Sequence, residues 1–260
     1  MELGLGSKTA LVTGSYRGTG AGIAKVLAGE GARVFVHGVE PGQPDEVVAA
    51  ITAAGGAVES VLADLRTDAG LQALAAALRQ TDVLVANQGA PVGSSWDSSE
   101  HWADEWNQNV MVGTRAAQVA LPAMRDRGWG RVIFIGTVGT RMPGARNPGY
   151  YGAKAALPVI VRTLAMELRG SGVTANLVSP GMIATAEVRE MLARRASKHG
   201  IEGEWSDVER WAVDHAMPNL TGRIPTPDDI GAVVAFVASE AAWHLNGADI
   251  AVDGGAVDAR

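Results

Sequence analysis

Tyr150 and Lys154 are the residues whose types and spacing point most directly to chemistry. They lie four apart in a segment of helical character, so they share one helix face, with Tyr150 near its start. An ammonium beside a phenol favours the phenolate and is expected to pull the tyrosine below its ordinary value of about 10. A tyrosine tuned in this way can give or take a proton near neutral pH. The same spacing also occurs in helices that carry only a solvated pair, so the surrounding elements must decide.

The pair follows RVIFIG (Arg131 to Gly136), an apolar run that reads as a buried strand, and a loop rich in Pro and Gly that starts at Thr137. Further strands are predicted at Lys8–Thr13, Ala32–Gly38, Ala57–Ala63, from Asp82, at Val173–Val178 and in ADIAV near the end of the chain. Helical segments alternate with them: AGIAKVLAGEGA after Gly20, Asp45–Gly55, Ala69–Arg79, and a long one from about Trp102 to Arg127 broken near Asn107–Asn109. The Tyr/Lys helix then runs to about Arg169, with a kink expected at Pro158, and another covers Pro227–Ser239. This alternation predicts one α/β domain, a Rossmann-type doubly wound parallel sheet of about seven strands with helices on both faces. Ala186–Arg223 breaks the pattern. Polar and carrying Trp205 and Trp211, it is expected to form a mobile lid or a pair of small helices over the site.

The 260 residues are 47% hydrophobic and 19% charged, as in globular proteins, and the net charge of −6 argues against nucleic acid or an anionic membrane as partner. No cysteine is present, so disulfides and thiolate chemistry are excluded. The N-terminus lacks the pattern of a signal peptide and no apolar run of about 18 residues occurs, so a soluble cytoplasmic protein is expected. His199 and His215 lack ligand spacing with other donors, and no metal is expected.

Gly14, Gly18 and Gly20 sit where a strand turns into a helix, a place where backbone N–H groups can approach a pyrophosphate. Taken in order, TGSYRGTG, Asp64–Leu65, ANQGA (Ala86 to Ala90), Asn109, Thr137 with YYGAK, SPGMIAT and VDGG (Val252 to Gly255) resemble the short-chain dehydrogenase/reductase superfamily, from about Gly6 to Gly255. The resemblance implies a nicotinamide dinucleotide as cofactor. Gly14, Gly18, Gly20 and Gly89 would line it, Asp64 would hydrogen-bond its adenine and Asn87 would brace the strand beneath it. Pro180, Gly181, Ile183 and Thr185 would hold the carboxamide end. Read alone, Asp64 is also a candidate helix cap and Pro180–Gly181 a plain turn.

Arg17 resembles the basic residue of NADP-preferring members, and the end of the second strand, Gly38, carries no carboxylate before Glu40. NADP(H) is therefore favoured over NAD(H), although Val39 stands where such members often place a second Arg. The resemblance also implies that Tyr150 is the general acid/base for hydride transfer between nicotinamide and a carbonyl or secondary alcohol. Lys154 would tune Tyr150 and bind the ribose, and Asn109 would hold a water that relays protons. Thr137 departs from the usual Ser; it keeps a hydroxyl but adds a methyl that narrows the space for substrate. Trp96 and Trp205 are candidates for the wall of a pocket suited to a flat or apolar substrate. A homotetramer, or a homodimer, is implied as well. The alternatives are an NAD-dependent alcohol, sugar or steroid dehydrogenase, and a dinucleotide-binding sensor or subunit without turnover.

Overall fold

Short runs of β-branched and apolar residues form seven parallel strands in a computed structural model that describes residues 2–258. They are β1 (Thr9–Val12), β2 (Arg33–Gly38), β3 (Val58–Leu62), β4 (Val83–Ala86), β5 (Gly130–Ile135), β6 (Val173–Pro180) and β7 (Asp249–Val252), in the order β3-β2-β1-β4-β5-β6-β7. The register pairs Leu11 with Phe35 on one side and with Leu84 on the other. β4 and β5 are buried along their whole length, as continuous apolar strands covered on both faces must be, whereas the edge strands β3 and β7 are partly exposed.

Successive strand side chains point to opposite faces, and this divides the core. Leu11, Leu84 and Phe134 pack with helices α3 (Asp68–Gln80), α5 (Val112–Asp126) and α6 (Pro148–Glu167) on one face. Val12, Val85 and Ile133 pack with α1 (Gly18–Gly29), α2 (Asp45–Ala53) and α9 (Pro227–Ala238) on the other. The single-domain, doubly wound sheet expected from the sequence is what the structure shows.

The expected break in the long helix is present. The segment opens as α4 (Ser99–Trp106), whose cap Ser98 accepts from His101 N, and passes through a π turn at Asn107–Met111 before α5. α6 is one continuous helix through Pro158. Ala186–Arg223 holds two helices, α7 (Ala186–Ser197) and α8 (Trp205–His215), packed around a small core of their own that includes Leu192, Val208 and Ala212. The cap of α3 is Thr67, which accepts from Gly70 N, and not Asp64. No helix among the described residues is long and apolar enough to cross a membrane.

Candidate active site

The sheet changes winding direction between β1 and β4, so a crevice opens beyond their carboxyl ends. Thr13 and Asn87 stitch these ends together. Thr13 Oγ1 accepts from Asn87 N at 3.0 Å and from Gln88 N at 2.9 Å, and Asn87 Nδ2 donates to Thr13 O at 2.8 Å. Above them lies a groove of about 950 Å³. It is lined by Gly14, Arg17, Gly18, Gly20, Asn87, Gly89, Thr137, Tyr150, Gly181, Ile183 and Thr185, all singled out in the sequence. Met142 and Gly144 from the loop before α6, Glu187 and Val188 from α7, and Met217–Asn219 after α8 complete its walls.

The glycines of the loop are required by geometry. Gly14 and Gly18 have φ of +61° and +56°, in the left-handed region. A Cβ on Gly20 would lie 2.6 Å from both Gly14 O and Asn87 Nδ2. The loop is also tethered from below by His37, a residue the sequence reading missed although it is the one polar side chain in the apolar run VFVHG. Gly14 N donates to His37 Nδ1 at 2.9 Å, and His37 Nε2 lies 2.9 Å from Ala63 O. An N–H can only donate and a carbonyl only accept, so His37 is the neutral Nε2–H tautomer. Burial lowers its pKa and keeps it in that form.

Tyr150 enters the groove from the first turn of α6, after Asn147 at φ +57° and Pro148 at the first helical position. Lys154, one turn on, is 4% exposed and donates from Nζ to Ile135 O at 2.8 Å. The π turn, a wider turn that recurs at functional sites, buries Asn109 beside it. Asn109 Nδ2 donates to Ala90 O at 3.2 Å and to Glu105 O and Oε2, each at 3.0 Å. A Cβ on Gly89 would be 2.7 Å from Asn109 Oδ1 and 2.9 Å from Lys154 Nζ, so these two polar atoms flank one point at the groove floor. Thr137 Oγ1 accepts from Gly139 N at 3.1 Å and faces the Tyr150 phenol.

The electrostatics differ from the sequence expectation. Tyr150 is pushed up to about 12, first by burial and then by the neighbouring Tyr151 and Glu105; only the Thr137 hydroxyl works the other way. Lys154 is not among the groups that shift the phenol, and burial of its own ammonium lowers its pKa to about 8. For each group desolvation by burial is the largest cause of the shift.

Six expected site residues lie outside the groove lining: Asn109 and Lys154, which sit just behind Gly89, and Asp64, Pro180, Trp96 and Trp205. Asp64 is gripped by its near neighbour: Arg66 Nε and Nη2 donate to its two carboxylate oxygens at 2.9 and 2.8 Å, and this holds its pKa low. Pro180 ends β6 opposite Val252, below the groove. Trp205 stacks under the Arg189 guanidinium, 4.4 Å from it, and packs on the α7–α8 core. Trp96 is 81% exposed and leans on Trp102 with ring centroids 5.1 Å apart. It borders a separate, mostly apolar hollow of about 430 Å³ that shares Gly144 and Tyr151 with the groove.

The residues fit a dinucleotide. The loop glycines let a pyrophosphate reach the N-terminus of α1, and Gln88 Oε1 at the groove is buried without a hydrogen-bond partner. A doubly wound sheet with this crevice, and with Tyr150 at its wall before the buried Lys154 and Asn109, is the arrangement of a class of dinucleotide-dependent oxidoreductases. The profile of the short chain dehydrogenase family matches residues 8–196, and the chain belongs to that family. It is 33% identical to a D-beta-hydroxybutyrate dehydrogenase of Cupriavidus necator, over 96% of this chain and 98% of that one. Among solved structures it is similar to L-sorbose reductase of Gluconobacter frateurii complexed with NADPH and L-sorbose, with a TM-score of 0.88, 28% identity and 99% of each chain covered. It is also similar to a 3-oxoacyl (acyl-carrier-protein) reductase of Agrobacterium tumefaciens with NADP bound, with a TM-score of 0.85, 32% identity, and 98% and 96% of the two chains covered.

Proposed function

We propose that this oxidoreductase reduces a small or medium carbonyl compound with NADPH, with Tyr150 as the proton donor. The observation that carries the reading is the convergence at the groove floor. Tyr150 and Thr137 line the same crevice as the glycine loop, and Lys154 Nζ and Asn109 Oδ1 flank Gly89 directly behind it. The cofactor, when bound, supplies the hydride. Thr137 orients the carbonyl oxygen by donating a hydrogen bond, and Tyr150 gives that oxygen its proton. A phenol held near 12 keeps its proton at neutral pH, which suits the reductive direction. Lys154 would return a proton to Tyr150, resupplied through a water held by Asn109.

NADP(H) is favoured because Arg17 stands at the groove mouth while β2 ends at Gly38 without a carboxylate. The two structural relatives described with NADPH or NADP support the same choice. One observation favours the NAD-dependent alcohol dehydrogenase reading instead: Arg17 Nη1 pairs with Glu187 at 3.1 Å, which offsets its charge. Both side chains are more than half exposed, so the pair exchanges for a phosphate at small cost.

A thermal-shift titration with NADPH, NADP, NADH and NAD, followed by a panel of diketones and aryl ketones, tests the reading. A ligand at about 100 times its dissociation constant adds roughly 2.7 kcal/mol. The phosphorylated pair is expected to give the larger shift, and Tyr150→Phe to abolish turnover of every ketone reduced. A larger shift with NAD(H) overturns the cofactor assignment, and undiminished reduction by Tyr150→Phe overturns the mechanism.

A further inference from the structure

Glu105 is fully buried on α4, in the middle of the catalytic constellation. Its Oε1 accepts from Val92 N at 3.0 Å, from Ser94 N at 3.5 Å and from Ser94 Oγ at 3.2 Å. Its Oε2 accepts from Asn109 Nδ2 at 3.0 Å. Ser94 Oγ in turn accepts from Gly149 N at 3.0 Å, and Gly149 is the residue before Tyr150. A Cβ on Gly149 would lie 2.9 Å from Ser94 Oγ and 3.2 Å from Glu105 Cγ, so only glycine allows this approach. Among the described residues no cation pairs with Glu105.

Every partner of this carboxylate is a donor, and an ionised carboxylate is the one side chain that accepts on both oxygens. An amide at position 105 would present an NH₂ either to Asn109 or to the N–H groups of the Val92–Ser94 loop, and one side would clash. The carboxylate also settles the polarity of the Asn109 amide. Its NH₂ must face Glu105, which leaves Oδ1 turned to the Lys154 side of Gly89.

We propose that Glu105 is the positioning residue of this site, orienting the Asn109 amide through one oxygen and the Tyr150 end of α6 through Ser94 and Gly149 with the other. The role rests on the reading of Tyr150 as proton donor. A buried negative charge here also works against the phenolate. The groups facing the phenol are Glu105 from α4, Tyr151 on its own helix with ring centroids 5.4 Å away, and the Thr137 hydroxyl after β5, with Lys154 one turn along. Removing the Glu105 charge should therefore let Tyr150 lose its proton at lower pH.

The test uses Glu105→Gln, Glu105→Asp and Tyr150→Phe in the full chain, with NADPH and whichever aryl ketone the panel selects. In Glu105→Gln, kcat is expected to fall by about 10-fold or more with KM little changed, as small misplacements of reacting groups do. The protein labelled with 3-fluorotyrosine has three tyrosines to resolve by fluorine NMR, and Tyr150→Phe assigns the one that matters. Its titration is expected to move to lower pH in Glu105→Gln and to stay in place in Glu105→Asp, which keeps the charge. A kcat within about twofold of the parent, or an unmoved Tyr150 titration, overturns the proposal. If Glu105→Gln does not fold, Ser94→Ala removes the hydroxyl that joins Glu105 Oε1 to Gly149 N while leaving the Val92 N, Ser94 N and Asn109 bonds to Glu105; it should lower kcat while leaving the NADPH thermal shift intact, and a parental kcat there overturns the proposal. If Tyr150→Phe still reduces the ketone, the proton-donor reading fails, and the fluorine titration alone decides the part of Glu105.

Discussion

Burial, more than pairing, governs the ionisable residues of the site. Lys154 is 4% exposed, and its pKa drops from 10.5 to about 8. The folded value lies below the unfolded one, so between those limits the unfolded chain binds more protons and stability rises with pH. Below about pH 8 the buried ammonium costs the fold on the order of 3 kcal/mol. Lys154→Met keeps the length and removes the charge. It is expected to abolish ketone reduction yet raise the denaturant midpoint near pH 7, with the gain shrinking as the pH approaches 10. A lower midpoint for the variant near pH 7 would show that the bond to Ile135 O outweighs the desolvation. The chemical identities of Tyr150, Lys154, Asn109 and Thr137 were legible in the sequence. Glu105 was not, because a lone glutamate in DEWNQN looks like a solvated helix residue; its i,i+4 spacing to Asn109 was the available signal.

At the scale of elements, the glycine loop is held in place by the packing of α1 on α9. A Cβ on Gly22 would lie 2.5 Å from the Pro227 carbonyl carbon, and one on Gly231 would lie 2.8 Å from Val26 Cγ2. The two helices therefore meet through glycine, with α9 started by a reciprocal cap between Thr226 and Asp229. Backbone cannot yield as a flexible side chain does, so Gly22→Ala is expected to destabilise the protein by about 1–3 kcal/mol and to weaken dinucleotide binding. Gly29→Ala, at the open end of the same helix with nothing near its Cβ, should be neutral or slightly stabilising. Urea melts compare the two, and equal midpoints would remove the packing argument. The break in the long helix was readable from Asn107–Asn109, and so was the run of α6 across Pro158 to near Arg169, where the helix continues despite one missing N–H.

Across the whole molecule, the Arg17–Glu187 pair joins the glycine loop to the first turn of α7, residues 170 positions apart, at the groove. Both groups are exposed, so the pair adds no more than about 1 kcal/mol to stability. Its expected effect lies in cofactor choice. Glu187→Gln frees Arg17, and the thermal shift with NADPH should grow relative to that with NADH while the melting temperature without cofactor stays the same. An unchanged ratio of the two shifts would detach Arg17 from cofactor selection. The helices α7 and α8 have a small core of their own, and Glu187 and Val188 of α7 form part of the groove wall.

The sequence by itself determined the strand–helix alternation, the parallel sheet and the chemical types gathered at its carboxyl edge. These follow from local period and from turn chemistry, which act over a few residues. Only the tertiary structure decided which side chains lose water and which donors meet which acceptors. Asp64 turned to Arg66, Trp96 and Trp205 stayed off the groove, His37 came beneath Gly14, and Glu105 came between Asn109 and the start of α6. Desolvation and hydrogen-bond polarity depend on residues far apart in the chain, and no local pattern carries them.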